Sequence, residues 1–182
     1  VIPQITAVFG TCGGGLALVP GLTDFTFMEE KDAKLFVNSP NAIDGNNVTK
    51  CDSASAKFQS EEAGLVDVVA DAASILEQIR QLVCMLPANN EDDMSYEECT
   101  DDLNRTCADL ANAAGDTAIA LSNISDDGVF FEVKRAYGQN MVAGFIKLNG
   151  VTVGALANRT EMYDENGEKT AEFDNVLSVK GC

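Results

Sequence analysis

The sequence predicts an α/β fold. Three observations carry that prediction. Short apolar runs rich in β-branched and aromatic residues recur at Ile5-Thr6-Ala7-Val8-Phe9, Phe25-Thr26-Phe27-Met28 and Leu35-Phe36-Val37. A glycine run, Gly13-Gly14-Gly15, lies between the first two. One long segment, Ala72 to Leu86, has helical apolar periodicity.

The first run reads as a buried strand. After the glycines, Leu16-Ala17-Leu18-Val19 is apolar and able to start a helix. The chain therefore goes strand, glycine turn, short helix, second strand. A glycine run at such a turn permits positive φ and lets a ligand approach the backbone. It also leaves the first N–H groups of the helix unpaired and pointing outward, with the helix dipole behind them. Such donors can hold a carbonyl oxygen that becomes an oxyanion. A phosphate loop is excluded, because a lysine and a hydroxyl would have to follow the glycines and Leu16 and Ala17 stand there. A dinucleotide fingerprint fails for want of the spaced third glycine.

Glu29-Glu30-Lys31-Asp32 is a charged turn, and Leu35-Phe36-Val37 a short strand closed by Asn38-Ser39-Pro40. Asn41 to Thr49 reads as a short helix ending at Gly45-Asn46-Asn47, residues suited to a left-handed cap. In the long helix Ile75, Leu76, Ile79, Leu82, Val83 and Leu86 form one apolar face that packs on the domain's own sheet, Asp71 is its cap, and Pro87 stops it. From Glu91 to Glu132 twelve carboxylates face one basic residue, Arg105. The pairs Asp92-Asp93 and Asp126-Asp127 invite an acid–base or metal reading, but calcium-loop spacing is not met and charge runs usually form solvated linkers and helix faces. Asn149-Gly150 between two apolar runs, Asn140 to Leu148 and Val151 to Asn158, predicts a β-hairpin, since both turn positions take positive φ. After Thr160 a polar loop around Asn166-Gly167 leads to Val176-Leu177-Ser178-Val179.

Composition excludes several classes. The 182 residues are enough for one large domain or two small ones. A net charge of −17 speaks against nucleic acid and anionic lipid as partners. No apolar run approaches ~20 residues, so no direct membrane insertion is expected. The absence of histidine removes Ser-His-Asp and Cys-His nucleophiles and disfavours zinc. None of the six cysteines has C-x-x-C spacing, and their placement suits reduced cytoplasmic thiols; no metal is expected.

Gly10-Thr11-Cys12-Gly13-Gly14-Gly15, followed by Pro20-Gly21-Leu22-Thr23-Asp24-Phe25-Thr26-Phe27-Met28, resembles a family pattern. That pattern belongs to the β-type carboxyltransferase subunits of biotin-dependent acyl-CoA carboxylases and the α subunits of related decarboxylases, in the crotonase-like superfamily. It reads Gly-Pro-Cys-Ala-Gly-Gly-Ala, then Ser-Pro-Ala-Leu-Thr-Asp-Phe-Thr-Phe-Met. The chain departs from it at Thr11, Gly13 and Leu16, none of which removes a backbone donor. A second likeness lies in Asp126 to Glu132 and in Gly144-Phe145 through Asn149-Gly150 to Val153-Gly154.

The resemblance implies a crotonase-like fold of ββα units, with residues 1–90 ending the N-terminal carboxyltransferase half, 91–125 as an acidic connection, and 126–182 opening the C-terminal half. It implies carboxyl transfer between carboxybiotin and an acyl-CoA thioester through an enolate. The backbone N–H groups of Gly14 and Gly15 would form the oxyanion hole. Gly13 and Leu16 would contact substrate, Leu16 narrowing the acyl pocket, while Asp24 is read as a structural cap rather than a base. The partners implied are acyl-CoA, biotin carboxyl carrier and biotin carboxylase components, and further copies of the subunit in a homo-oligomer; the compartment implied is cytoplasmic. The chain opens on Val1 and ends at Cys182, and is expected to be an internal segment with little turnover by itself. A sodium-pumping decarboxylase and a non-catalytic acidic binding module remain the alternatives.

Overall fold

Successive strands of the N-terminal part do not pair with each other; they alternate between two sheets. The computed structural model describes residues 2–42, 52–92, 98–107, 110–111, 113, 115–164 and 166–182. Residues 1–84 with 88–90 form one compact unit, and residues 85–87 with 91–182 a second.

In the first unit, β1 (Ile5–Val8), β3 (Phe25–Glu29) and β5 (Val68–Ala70) make a parallel sheet in the order β1-β3-β5. Strands β2 (Thr11–Gly13) and β4 (Lys34–Phe36) make a second, also parallel. Val8 and Met28 from the first sheet and Leu35 from the second share one buried cluster with Ala17, Ala33, Ala56 and Val66; Cys12 packs against it. This arrangement accounts for the unbroken apolar character of Phe25 to Met28, where Phe27 and Met28 are fully buried.

Two helices complete the unit. Helix α1 (Ala56–Glu61) is capped by the Ser55 hydroxyl, which accepts the Phe58 N–H. Helix α2 (Ala72–Met85) is capped by Asp71, whose Oδ1 accepts the N–H groups of Ala73 at 3.0 Å and Ser74 at 3.2 Å. The apolar face of α2 is narrower than expected. Ile75, Leu82 and Met85 are buried, but Leu76 is 61% and Val83 56% exposed. Each follows a buried residue by one position, which turns it about 100° away from the buried stripe. The expected helix from Asn41 to Thr49 lies mostly outside the described residues; Pro40–Ala42 forms a single 3-10 turn.

The second unit is built on an antiparallel sheet of β6 (Phe130–Val133), β7 (Met141–Leu148) and β8 (Val151–Asn158), in that order. The β7–β8 turn has φ of 52° at Asn149 and 77° at Gly150, as the Asn-Gly pair predicts. Asp126 clamps it: Oδ1 accepts the Asn149 N–H at 3.0 Å and Oδ2 the Gly150 N–H at 2.7 Å. Helix α3 (Thr117–Ile124) lies against all three strands and is capped by Asp116. Arg105 is fully engaged, bonding Asp101 at 2.8 Å and the carbonyls of Asn123 at 2.7 Å and Ser125 at 2.8 Å. Strands β9 (Glu161–Tyr163) and β10 (Lys169–Glu172) form a small hairpin, where the sequence predicts only a polar loop.

Arg159, just after β8, is buried. Its Nη1 lies 3.3 Å from Glu132 Oε1 and 3.8 Å from Asp116 Oδ1, and its Nε donates to the Gln139 carbonyl at 2.9 Å. No described helix is long and apolar enough to cross a membrane.

Candidate functional site

The three glycines of the first motif do not form one turn; each has a separate conformation. Gly13 is extended (φ −126°, ψ 162°) and ends β2, in register with Phe36 of β4. Gly14 takes φ +67°, the left-handed region that glycine enters without penalty. Gly15 continues a 3-10 turn, Gly14–Leu18, where the sequence predicts a helix beginning after the glycines. A turn so short offers no internal carbonyl to its first N–H groups.

The turn is fixed from below and open above. Ala17 is buried in the core between the two sheets. Pro20 is buried, and its carbonyl accepts the hydroxyls of Thr26 at 2.8 Å and Thr23 at 3.2 Å. Asp24 and Gln4 bond reciprocally: Asp24 Oδ2 accepts the Gln4 N–H at 2.7 Å, and the Asp24 N–H donates to the Gln4 carbonyl at 2.9 Å. Asp24 therefore fastens the start of β3 to the start of β1. On the outer side Gly14, Gly15 and Leu16 are exposed, and a Cβ built on Gly14 or Gly15 meets no atom within 4 Å. Leu16 is 65% exposed, and Leu18 and Leu22 continue an apolar rim.

Gly13 differs. A Cβ there would lie 2.9 Å from Phe36 Cε2 and 3.1 Å from Cζ, so the ring occupies the space of a side chain. Sequence reasoning missed this contact, because only the β2–β4 register brings positions 13 and 36 together.

Nearby, Glu29 closes the turn after β3. Its Oε2 accepts the N–H groups of Asp32, Lys31 and Ala33, and the Asp32 bond above all holds its carboxyl below the ordinary value of 4.5. Asp126 and Asp127 have structural partners: Asp126 holds the hairpin turn, and Asp127 Oδ2 accepts the Thr100 hydroxyl at 3.0 Å; Asp93, of the other acidic pair, lies outside the described residues. Glu132 is pushed above 4.5 by burial, against the opposing pull of Arg159. Among the described residues no group of three or more acidic or cysteine side chains gathers as metal ligands would. A small cleft of about 120 Å³ in the second unit, bordered by Asn140, Asn158, Arg159, Asp174 and Asn175 among others, contains none of the candidate residues.

The chain is similar to known proteins along nearly its whole length. It is 30% identical over 189 residues to the methylmalonyl-CoA decarboxylase α subunit of Propionigenium modestum, covering 95% of this chain and 37% of that protein. It is 32% identical over 198 residues to the mitochondrial propionyl-CoA carboxylase β chain of Rattus norvegicus, covering 100% of this chain and 35% of that one. Among solved structures, transcarboxylase 12S with methylmalonyl-coenzyme A and methylmalonic acid bound superposes with a TM-score of 0.76 at 30% identity, over 87% of this chain and 33% of that chain. The chain thus spans a little over a third of the length of the curated relatives it matches. Its alternating parallel sheets are the crotonase-like carboxyltransferase fold. The carboxyl transferase domain model matches residues 1–179, and the chain belongs to that family.

Proposed function

We propose that this chain supplies the acyl-CoA side of a biotin-dependent acyl-CoA carboxyltransferase. One observation carries the reading: Gly14 and Gly15 are exposed, with open space at their α-carbons, on a turn pinned by Ala17 in the core. A thioester can reach that backbone without displacing any part of the chain.

The chemistry asks for such a turn. Removal of the α-proton of an acyl-CoA, which biotin freed of its carboxyl group would accept, moves negative charge onto the thioester oxygen. The N–H groups of Gly14 and Gly15 take that charge as hydrogen-bond donors, and being already fixed they need no reorganisation as it develops. Carboxybiotin supplies the carboxyl group; no residue of this chain is assigned to it. Carboxylation and decarboxylation share the enolate, so relatives named for either direction fit one turn. Leu16 forms an apolar wall for the acyl group, and the Gly13 backbone borders it.

In this reading residues 1–90 close one carboxyltransferase half, 91–125 connect, and 126–182 open the other. The partners are acyl-CoA, a biotin carboxyl carrier, a biotin carboxylase component and further copies of the subunit, in the cytoplasm.

Gly15→Val in the longest gene product carrying these residues tests the assignment. A Cβ at position 15 has nothing within 4 Å, so the thermal midpoint should hold, while the valine side chain blocks the approach to the two N–H groups and carboxyl transfer falls by about 10²–10³-fold, as when an oxyanion donor is lost. Retained turnover contradicts the assignment.

A further inference from the structure

A side chain from the other strand of its sheet lies against the backbone that precedes the two proposed donors. Gly13 ψ, at 162°, sets the plane of the Gly13–Gly14 peptide and so the direction of the Gly14 N–H. At that point the chain has no side chain of its own. Phe36 takes the place of one, its ring edge 2.9 Å from where a Gly13 Cβ would stand.

Phe36 is well mounted for this. Its backbone pairs with Gly13 across β2–β4. Its neighbour Leu35 is buried in the core, and the Leu35 N–H donates to the Ala54 carbonyl at 2.9 Å. Gln59 of α1 spans the carbonyls of Leu35 at 3.4 Å and Ser53 at 2.6 Å. The strand that carries the ring is thus tied to the core and to α1. Gly14 itself has no such support, with nothing within 4 Å of its Cβ position and φ in a region it could leave.

We propose that Phe36 is a positioning residue for carboxyl transfer. Its ring keeps Gly13 from swinging and so fixes the aim of the Gly14 N–H at the thioester oxygen. This rests on the oxyanion-hole reading of Gly14 and Gly15. The ring touches no reacting atom; it acts through the Gly13 backbone. Removing it gives Gly13 room to move and lets the Gly14 donor wander. A loss of aim of that kind costs up to about 100-fold in rate and little in binding, because the thioester contact strengthens as charge develops.

The test uses the longest gene product carrying these residues, with carbon-13-labelled propionyl-CoA as probe. Infrared difference spectroscopy reads the thioester carbonyl stretch, which moves to lower frequency when two donors polarise it. Wild type should show the downshift. Phe36→Ala should reduce it and lower kcat about 10- to 100-fold, with KM for propionyl-CoA nearly unchanged. Phe36→Leu serves if the alanine variant does not fold, and should fall between the two. Gly13→Ala should be destabilising when Phe36 is present, and nearly neutral when combined with Phe36→Ala or Phe36→Leu. A wild-type downshift that survives intact in the folded Phe36 variants, with kcat kept, overturns the role of Phe36 and leaves the oxyanion-hole reading standing. No downshift in wild type overturns the oxyanion-hole reading and the role of Phe36 with it. Equal effects of Gly13→Ala in all backgrounds would show that the ring does not guard Gly13.

Discussion

Thr26 and Asp67 are joined by two reciprocal hydrogen bonds: Asp67 Oδ2 accepts the Thr26 N–H at 2.8 Å, and the Asp67 N–H donates to the Thr26 carbonyl at 2.8 Å. Both residues are buried, at 1% and 9% exposure. The pair ties central strand β3 to the segment entering β5, while the Thr26 hydroxyl holds Pro20 at the end of the glycine turn. Asp67→Ala leaves a buried N–H without its acceptor and should destabilise the first unit by about 1–3 kcal/mol. Asp67→Asn keeps an acceptor and should cost less. Hydrogen exchange at the Thr26 amide measures both.

Asp126 plays the corresponding part in the second unit. Its two oxygens receive the N–H groups of the hairpin turn, and at 8% exposure it has little water to compete. Asp126→Ala should cost about 1.5–3 kcal/mol, the range for hydrogen bonds to a charged group. Exchange at the Asn149 and Gly150 amides should quicken, while the β6–β7 ladder keeps its protection.

Arg159 stands between Glu132 and Asp116 with its side chain fully buried. Arg159→Met removes the buried cation, leaving Glu132 with the more exposed Arg135 at 3.6 Å and Asp116 with backbone N–H donors, and should cost about 3–5 kcal/mol. Adding Glu132→Gln should recover part of that loss, because it removes one of the two buried negative charges that Arg159 balanced. Urea unfolding of the single and double variants gives the comparison.

Two glutamates give opposite pH dependences. Burial raises Glu132 above 4.5, so the folded state holds its proton more tightly than the unfolded chain. Its contribution to stability is full below 4.5 and is lost as pH rises through the raised value. Glu29 is lowered, first by the Asp32 N–H, so its contribution is present above 4.5 and lost as pH falls through the lowered value. Glu132→Gln should therefore flatten the stability profile just above 4.5, and Glu29→Gln should flatten it on the acid side. Unfolding free energy measured across about pH 3 to 7, a range spanning both ordinary and shifted carboxylates, separates the two.

Much of this was legible in the sequence, for identifiable reasons. Phe25 to Met28 and Met141 to Asn158 are strands whose apolar runs and Asn-Gly turn carry their own signal. Asp71 announced α2 as a cap does. Helix α3 was hidden, since its eight residues sit inside an acidic stretch and its apolar side chains are only weakly segregated; only Asp116 marks its start. Leu76 and Val83 fall one row outside the buried stripe of their helix, because periodicity locates a face but not its width. At the candidate site, Gly13, Gly14, Gly15 and Leu16 stand out by type and order. Their separate conformations, and the ring of Phe36 against Gly13, follow from parallel pairing of strands distant in sequence, which no local pattern reports.

The Gly14 and Gly15 N–H groups are proposed to hold the thioester oxygen. A crystal structure of the longest gene product with a non-reactive acyl-CoA analogue bound tests it most directly. The carbonyl oxygen should lie about 2.7–3.1 Å from both nitrogens, with the acyl group against Leu16. An acyl carbonyl bound elsewhere, with the Gly14–Gly15 turn unchanged and facing solvent, would contradict it.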